Sequence, residues 1–192
     1  MITHLVIGLG NPGTDYKNTW HNLGAETLNA LIADIDATPL AFEKKFNALI
    51  SRVKLGENEL LLAAPQTFMN RSGESVFKLL GFYKLSAKQL IVVQDDIDLP
   101  LGTLRITSGS SAGGHNGVKS IIEQIGSQEF LRLKLGVATP GLSILGATEY
   151  VLQQYSGHHE IEKEAQALIK NAIESLKVII NESPAAAMNK FN

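Results

Sequence analysis

The segment His4–Gly13, HLVIGLGNPG, is apolar from Leu5 to Leu9 and then turns to glycine, asparagine and proline. A short apolar run closed by turn residues reads as a strand buried on both faces. Leu90–Gln94, LIVVQ, repeats the pattern. Between these two runs the period changes. Leu28, Leu31, Ile32 and Ile35 recur at helical spacing and place a helix over Asn22–Ile35. Ala48–Val53 and Leu60–Ala64 read as strands joined across Gly56–Asn58, a hairpin. Val76, Leu79, Leu80 and Tyr83 mark a second helix, with Asn70 or Ser72 as its cap. Further on, Thr103–Thr107 alternates as a half-exposed strand, and Val118, Ile121, Ile122 and Ile125 mark a short helix stopped by Gly126. Leu131–Val137 is a strand with one apolar and one basic side, and a stripe from Ile161 to Ile180 marks a long C-terminal helix. Strands alternating with helices, plus a hairpin, predict an α/β fold. The expected form is a single three-layer domain over residues 1–192, a mixed β-sheet flanked by helices.

The chain has 192 residues, a formal charge of −2, 44 % apolar residues and no cysteine. That is enough apolar material for a packed core. Lack of cysteine excludes disulfides, a thiolate nucleophile and cysteine-ligated metal sites. No stretch approaches the roughly 18 apolar residues of a membrane span, and no cationic region precedes the first apolar run. No membrane partner and a cytoplasmic location are therefore expected. The net charge argues against a strongly basic, non-specific nucleic-acid binder. The charge is uneven, however. Between Pro100 and Pro140 four basic residues (Arg105, Lys119, Arg132, Lys134) stand against two acidic ones (Glu123, Glu129).

Polar and glycine signals gather in three loops, each at a strand end or a helix start, where ligands of open α/β sheets bind. The first is Gly8–Gly24. Gly8, Gly10 and Gly13 match the G-x-G-x-x-G spacing of dinucleotide sites, but Thr14–Asn22 is polar where a true fingerprint opens its helix. Asn11, Tyr16, His21 and Asn22 crowd the same loop. The second is Ala64–Ser75, with Phe68 and Met69 beside Asn70. A loop aromatic is a helix staple or a stacking platform for a base. The third is Asp95–Gly117. There Asp95 ends a buried strand and wants a partner, a histidine or a cation. Gly109–Gly117 runs into a helix whose free amides suit an anion, with His115 and Asn116 at its start and Asn116 readable as its cap.

Of five histidines, His158 and His159 begin a helix beside Glu160, and His4 begins a first or edge strand, all readable as surface. His115 is open between a site and a structural role. His21, in the most polar loop, is the best general base. No G-x-S-x-G elbow and no cysteine are present, so a His–Asp pair activating water is the economical chemistry.

Three stretches, GLGNPGTDYKNTWHN, PQTFMNRSG and DDIDLPLGTLRITSGSSAGGHNGVKSI, with FLRLKLGVATPG after them, resemble bacterial-type peptidyl-tRNA hydrolases in order and spacing. The resemblance implies an enzyme, monomeric and without cofactor or metal, that cleaves the ester between a peptide and the 3′ ribose of tRNA. It implies His21 as base, Asp95 as its orienting carboxylate and Asn11 as the amide that recognises a peptide-bearing substrate. It places Asn70 and Asn116, with Met69, Gly113 and His115, on the substrate, and Tyr16 and Phe68 at the tRNA end. Arg105, Lys134 and Lys119 stand at basic positions of the tRNA side, and Arg132 is expected to share a surface with the first two. Trp20 stands where that family usually has arginine, and either packs inward or stacks on substrate. Gly141–Gly157 is open as a lid. Other readings are a non-catalytic RNA-binding or splicing relative, a dinucleotide-dependent oxidoreductase using Gly8–Gly13, and a magnesium enzyme using Asp95, Asp96 and Asp98.

Overall fold

A computed structural model of the protein describes residues 2–192. Seven strands form one sheet: β1 (Ile2–Gly8), β2 (Ala41–Glu43), β3 (Ala48–Leu55), β4 (Asn58–Pro65), β5 (Leu90–Pro100), β6 (Leu104–Ser108) and β7 (Leu131–Ala138). Their spatial order is β2-β3-β4-β1-β5-β7-β6. The middle four, β4, β1, β5 and β7, are parallel, while β2, β3 and β6 join antiparallel at the two sides. The mixed α/β sheet expected from the alternating pattern is present. Of the two alternatives for the strand at His4, it is the first strand, β1, and not an edge one; it lies in the middle of the sheet, so His4 is half-buried rather than at the surface.

Each face of the parallel core is apolar, so each needs a helical layer. Val6, Leu62, Ile91 and Val93 face one core with α1 (Leu23–Asp34), α6 (His159–Asn181) and α7 (Pro184–Phe191). Leu5, Ile7, Leu61 and Val92 face the other with α2 (Ser72–Tyr83) and α3 (Asn116–Ile125). Two short helices, α4 (Gly141–Leu145) and α5 (Ala147–Tyr150), follow β7. These two, with α7 and the three-residue β2, have too few periodic residues to be read from sequence. Neither Asn70 nor Ser72 caps α2: its N-cap position is Arg71, without a side-chain cap, and the Ser72 hydroxyl instead donates to Met69 O. No helix among the described residues is long and apolar enough to cross a membrane.

β5 runs on past Gln94. β7 supplies partners for Asp95 and Asp96, at Leu135 and Gly136, before the register slips ahead of Pro100. The buried carboxylate thus sits inside a strand, not after it. The turn and helix behind β1 are brought onto β5 by one glycine contact. The Leu9 N–H donates to Val93 O, and the Ala25 N–H to Leu9 O. A Cβ on Gly24 would lie 2.2 Å from Val93 O, and one on Gly8 would lie 2.4 Å from Gly24 O. No side chain fits between these backbones. Gly24→Ala is therefore expected to cost about 1–3 kcal/mol, read as a fall of about 2–12 °C in Tm.

Candidate active site

The loops after β1, β4 and β6, with Gln94–Ile97 of β5, wall a cleft of about 670 Å³. His21 sits in a 3-10 turn, Trp20–Asn22, immediately before α1, and is 8 % exposed. Its Nδ1 lies 3.0 and 2.9 Å from the two carboxylate oxygens of Asp95, which is 1 % exposed. His115 reaches the same carboxylate from the other side, Nε2 to Oδ1 at 3.0 Å.

The proton positions follow from the other nitrogen of His115. Its Nδ1 accepts the N–H groups of Gly117 and Val118, at 3.1 and 3.4 Å, and so caps α3. An accepting nitrogen carries no proton, so the ring proton is on Nε2 and is donated to Asp95. The carboxylate accepts a second hydrogen bond, from His21 Nδ1–H. His21 Nε2 is free of any hydrogen-bond partner among the described residues. Burial alone would push the Asp95 carboxyl up, but attraction to His115 and His21 and their hydrogen bonds outweigh it and hold it well below the usual carboxylate range.

Two sequence expectations change here. Asn116 is not the cap of α3; His115 is. The helix N-terminus, expected as an open anion site, has two of its amides already taken by an imidazole. The donors of His21, Asp95 and His115 lie within 4.8 Å of one another, a spacing that suits a metal ion. A cation on His115 Nε2 would send the ring proton to Nδ1, against two backbone N–H donors, so the set is ordered for protons. The carboxylates of the magnesium reading turn to separate partners: Asp96 pairs with Lys134 at 2.5 Å and accepts the Asp98 N–H at 2.8 Å.

Asn11 is held by a two-way clasp. Its backbone N–H donates to Asn22 Oδ1 at 2.8 Å, and Asn22 Nδ2 donates to Asn11 O at 2.9 Å. Asn11 Oδ1 accepts the Met69 N–H at 2.8 Å, so its amide oxygen is identified and its NH₂ group is left to donate. Asn22, singled out in sequence only as part of a polar loop, thus positions Asn11. Gly10 permits it, since a Cβ there would press on the Asn22 amide at 3.2 Å. The glycines at Gly8–Gly13 serve this turn. α1 opens only at Leu23, which removes the dinucleotide reading.

Asn70 and Asn116 are exposed in the cleft, with Gly113 on its rim. Phe68 is 57 % exposed at the cleft and Tyr16 half-buried beside it; Met69, 5 % exposed, also lines the cleft and packs into the core beneath. Arg105 and Lys134 do not line the cleft. They face each other across β6 and β7, and Thr107 faces Arg132, so the three basic residues share a sheet face. The shared surface ends there: Arg132 is buried and donates to Ser110, and Lys134 is paired. Ala147, Thr148, Val151 and Leu152, on and after α5 and within the Gly141–Gly157 segment left open as a lid, also line the cleft. Trp20 points away from it, 3 % exposed and stacked on Tyr155 and Tyr150.

The sequence profile described as "Peptidyl-tRNA hydrolase" matches residues 5–192. The chain belongs to the peptidyl-tRNA hydrolase family. It is 43 % identical to a peptidyl-tRNA hydrolase of Desulforamulus reducens, over 98 % of this chain and 88 % of that protein. It is also 43 % identical to one of Aquifex aeolicus, over 98 % and 95 %. The crystal structure of the peptidyl-tRNA hydrolase of Acinetobacter baumannii superposes with a TM-score of 0.89 at 29 % identity, covering all of this chain (100 %) and 96 % of that one.

In this member of the peptidyl-tRNA hydrolase family the depressed Asp95 carboxyl also links the site to stability. A folded-state pKa below the unfolded value adds stability above the ordinary carboxylate range of about 4, and that stability is lost as pH falls through it. The stability gap between the wild type and Asp95→Asn is expected to be full above about pH 4 and to narrow below it, measured by urea unfolding across pH.

Proposed function

We propose that this chain hydrolyses the ester between a peptide and the 3′ ribose of tRNA, with His21 as general base. The observation that carries the reading is the hydrogen bond of His21 Nδ1 to Asp95, which leaves Nε2, in a ring that lines the cleft, without a partner among the described residues. Nε2 takes a proton from water as the hydroxyl oxygen bonds to the ester carbon. The carbonyl becomes a tetrahedral oxyanion. On its collapse the bond to the ribose 3′ oxygen breaks, and the imidazolium returns the proton to that oxygen. Asp95 holds the ring and stabilises the imidazolium, as in triad logic with water in place of serine. The exposed amides of Asn70 and Asn116 are the available oxyanion donors.

Asn11 presents an NH₂ group whose natural target is a carbonyl, that of the first peptide bond of the substrate. A free aminoacyl ester has no such carbonyl and carries a cationic amine, which an amide donor repels. Phe68 and Tyr16 offer faces for the terminal bases. Arg105 has no partner among the described residues, while Lys134 meets a phosphate only by leaving Asp96. The protein works as one domain and as a monomer in the cytoplasm on this reading; all seven strands in one sheet support the first of these.

Single-turnover hydrolysis of N-acetyl-aminoacyl-tRNA tests the base. His21→Ala is expected to slow it by about 10²–10⁴. Full retained activity would remove His21 from the mechanism, and a wild type that binds tRNA without turnover would favour the non-catalytic relative. Asn11→Asp keeps an acceptor for the Met69 N–H and removes the donors. It is expected to lower the preference for N-acetyl over free aminoacyl ester by about tenfold or more, read from the ratio of the two kcat/KM values.

A further inference from the structure

Trp20 and His21 are neighbours in one turn but face opposite ways. His21 meets the cleft, and Trp20 enters the core behind it. The indole stacks on Tyr155 at 4.9 Å and on Tyr150 at 6.2 Å. Both tyrosines are anchored beyond the stack. Tyr150 Oη donates to Val137 O at 2.5 Å, at the end of β7. Tyr155 Oη donates to Glu26 on α1, whose other carboxylate oxygen accepts the Asn18 N–H at 2.8 Å.

The backbone repeats the connection. The His21 N–H donates to Val151 O at 2.9 Å, the Trp20 N–H to Gln153 O at 3.3 Å, and the Tyr155 N–H to Asn18 O at 2.9 Å, with a bridge between Thr19 and Gln154. The segment after α5 is thus laced antiparallel to the turn that bears the base. The same segment walls the cleft with Val151 and Leu152, and Leu152 is 41 % exposed. Val151 does both: it lines the cleft, and its carbonyl holds the His21 N–H.

We infer that Trp20, Tyr155 and Glu26 are positioning residues that couple the α5 wall to His21, so that the substrate's aminoacyl side chain, seated on Val151 and Leu152, sets the alignment of the base. The inference rests on His21 being that base. A side chain pressing on the wall loads the Val151 carbonyl, and the stacked indole keeps the turn from yielding independently. Misplacement of a catalytic group by about 1 Å costs about 10² in rate. The selectivity therefore enters kcat rather than KM, because the contact is used to orient the base and not only to bind. An apolar aminoacyl side chain is favoured over glycine.

The test uses the full chain with N-acetyl-glycyl- and N-acetyl-leucyl-tRNA. The wild type is expected to show a higher kcat on the leucyl substrate. Tyr155→Phe keeps the stack and loses only the bond to Glu26, and Trp20→Phe keeps a ring in the socket, so both should fold. Each is expected to lower kcat on the leucyl substrate by about tenfold, with KM within about twofold, and to erase the difference between the substrates. Equal wild-type kcat on the two substrates, or variants that retain the wild-type kcat pattern, would overturn the coupling. With His21→Ala as control, the two failures separate: an active His21→Ala defeats the base itself, and an inactive one beside an unaffected Tyr155→Phe defeats the clamp alone.

Discussion

One buried carboxylate accepting two imidazole N–H groups organises this protein's cleft. Asp95 is almost wholly enclosed, so its charge is affordable only with donors on both sides. His21 supplies one from the turn before α1, and His115 the other from the start of α3. These elements lie on opposite layers of the sheet. The carboxylate inside β5 therefore ties both layers together at the cleft. The α3 cap adds a constraint of its own, since two backbone N–H groups decide which nitrogen of His115 carries the proton. Backbone geometry at the start of α3 thereby settles that His115 presents its Nε2–H to the carboxylate that also holds His21.

The rest of the molecule can be understood as what holds those two imidazoles in place. Gly8 and Gly24 let α1 approach β1 and β5 to backbone contact, which sets the His21 turn over Asp95. Gly117 does the corresponding work for α3, because a Cβ there would meet Met69 Sδ at 2.5 Å and Leu9 at 2.9 Å. The Asn11–Asn22 clasp fixes the loop between them, and Asn11 then takes the Met69 N–H, joining the second loop to the first. Each bond of the clasp runs between an asparagine side chain and a backbone group at 2.8–2.9 Å, so the loops are joined to one another within the protein itself.

The parts legible in sequence are those written in local patterns. The apolar runs at Leu5–Leu9 and Leu90–Val93 and the helical stripe of α6 depend on period alone, and they stand where expected. His21 and Asp95 were legible as candidates for one site, and the structure brings them together, because polar residues in glycine-marked loops at strand ends have little structural reason to be there. What was not legible depends on tertiary contacts. The capping ring of His115 looks the same in sequence as a ligand or a surface residue, since its role needs the turn of Gly113 and Gly114 to bring it to Asp95. β5 reads as ending at Gln94 because its last residues are polar, yet pairing with β7 carries it on. The α5 wall has no periodic stripe at all. It is held by Tyr150, Tyr155 and the backbone lacing to residues 18–21.

Charge behaves the same way. Counted along the chain, Arg105, Lys119, Arg132 and Lys134 make a basic stretch; placed in the fold, they do not act alike. Arg132 is buried under the glycine-rich loop, Lys134 is bound to Asp96, and Lys119 stands 4.0 Å from Glu123 on the solvated face of α3. Arg105 alone of the four is exposed and without a partner among the described residues. Of this stretch only Arg105 is free to displace counterions from a phosphate, so the stretch adds little to the salt dependence. On the proposed reading the tRNA end is then gripped inside the cleft, by Phe68, Tyr16 and the asparagine amides. Binding of that kind is concentrated at the acceptor end, next to the ester, and leaves little to retain the rest of the tRNA once the ester is cut.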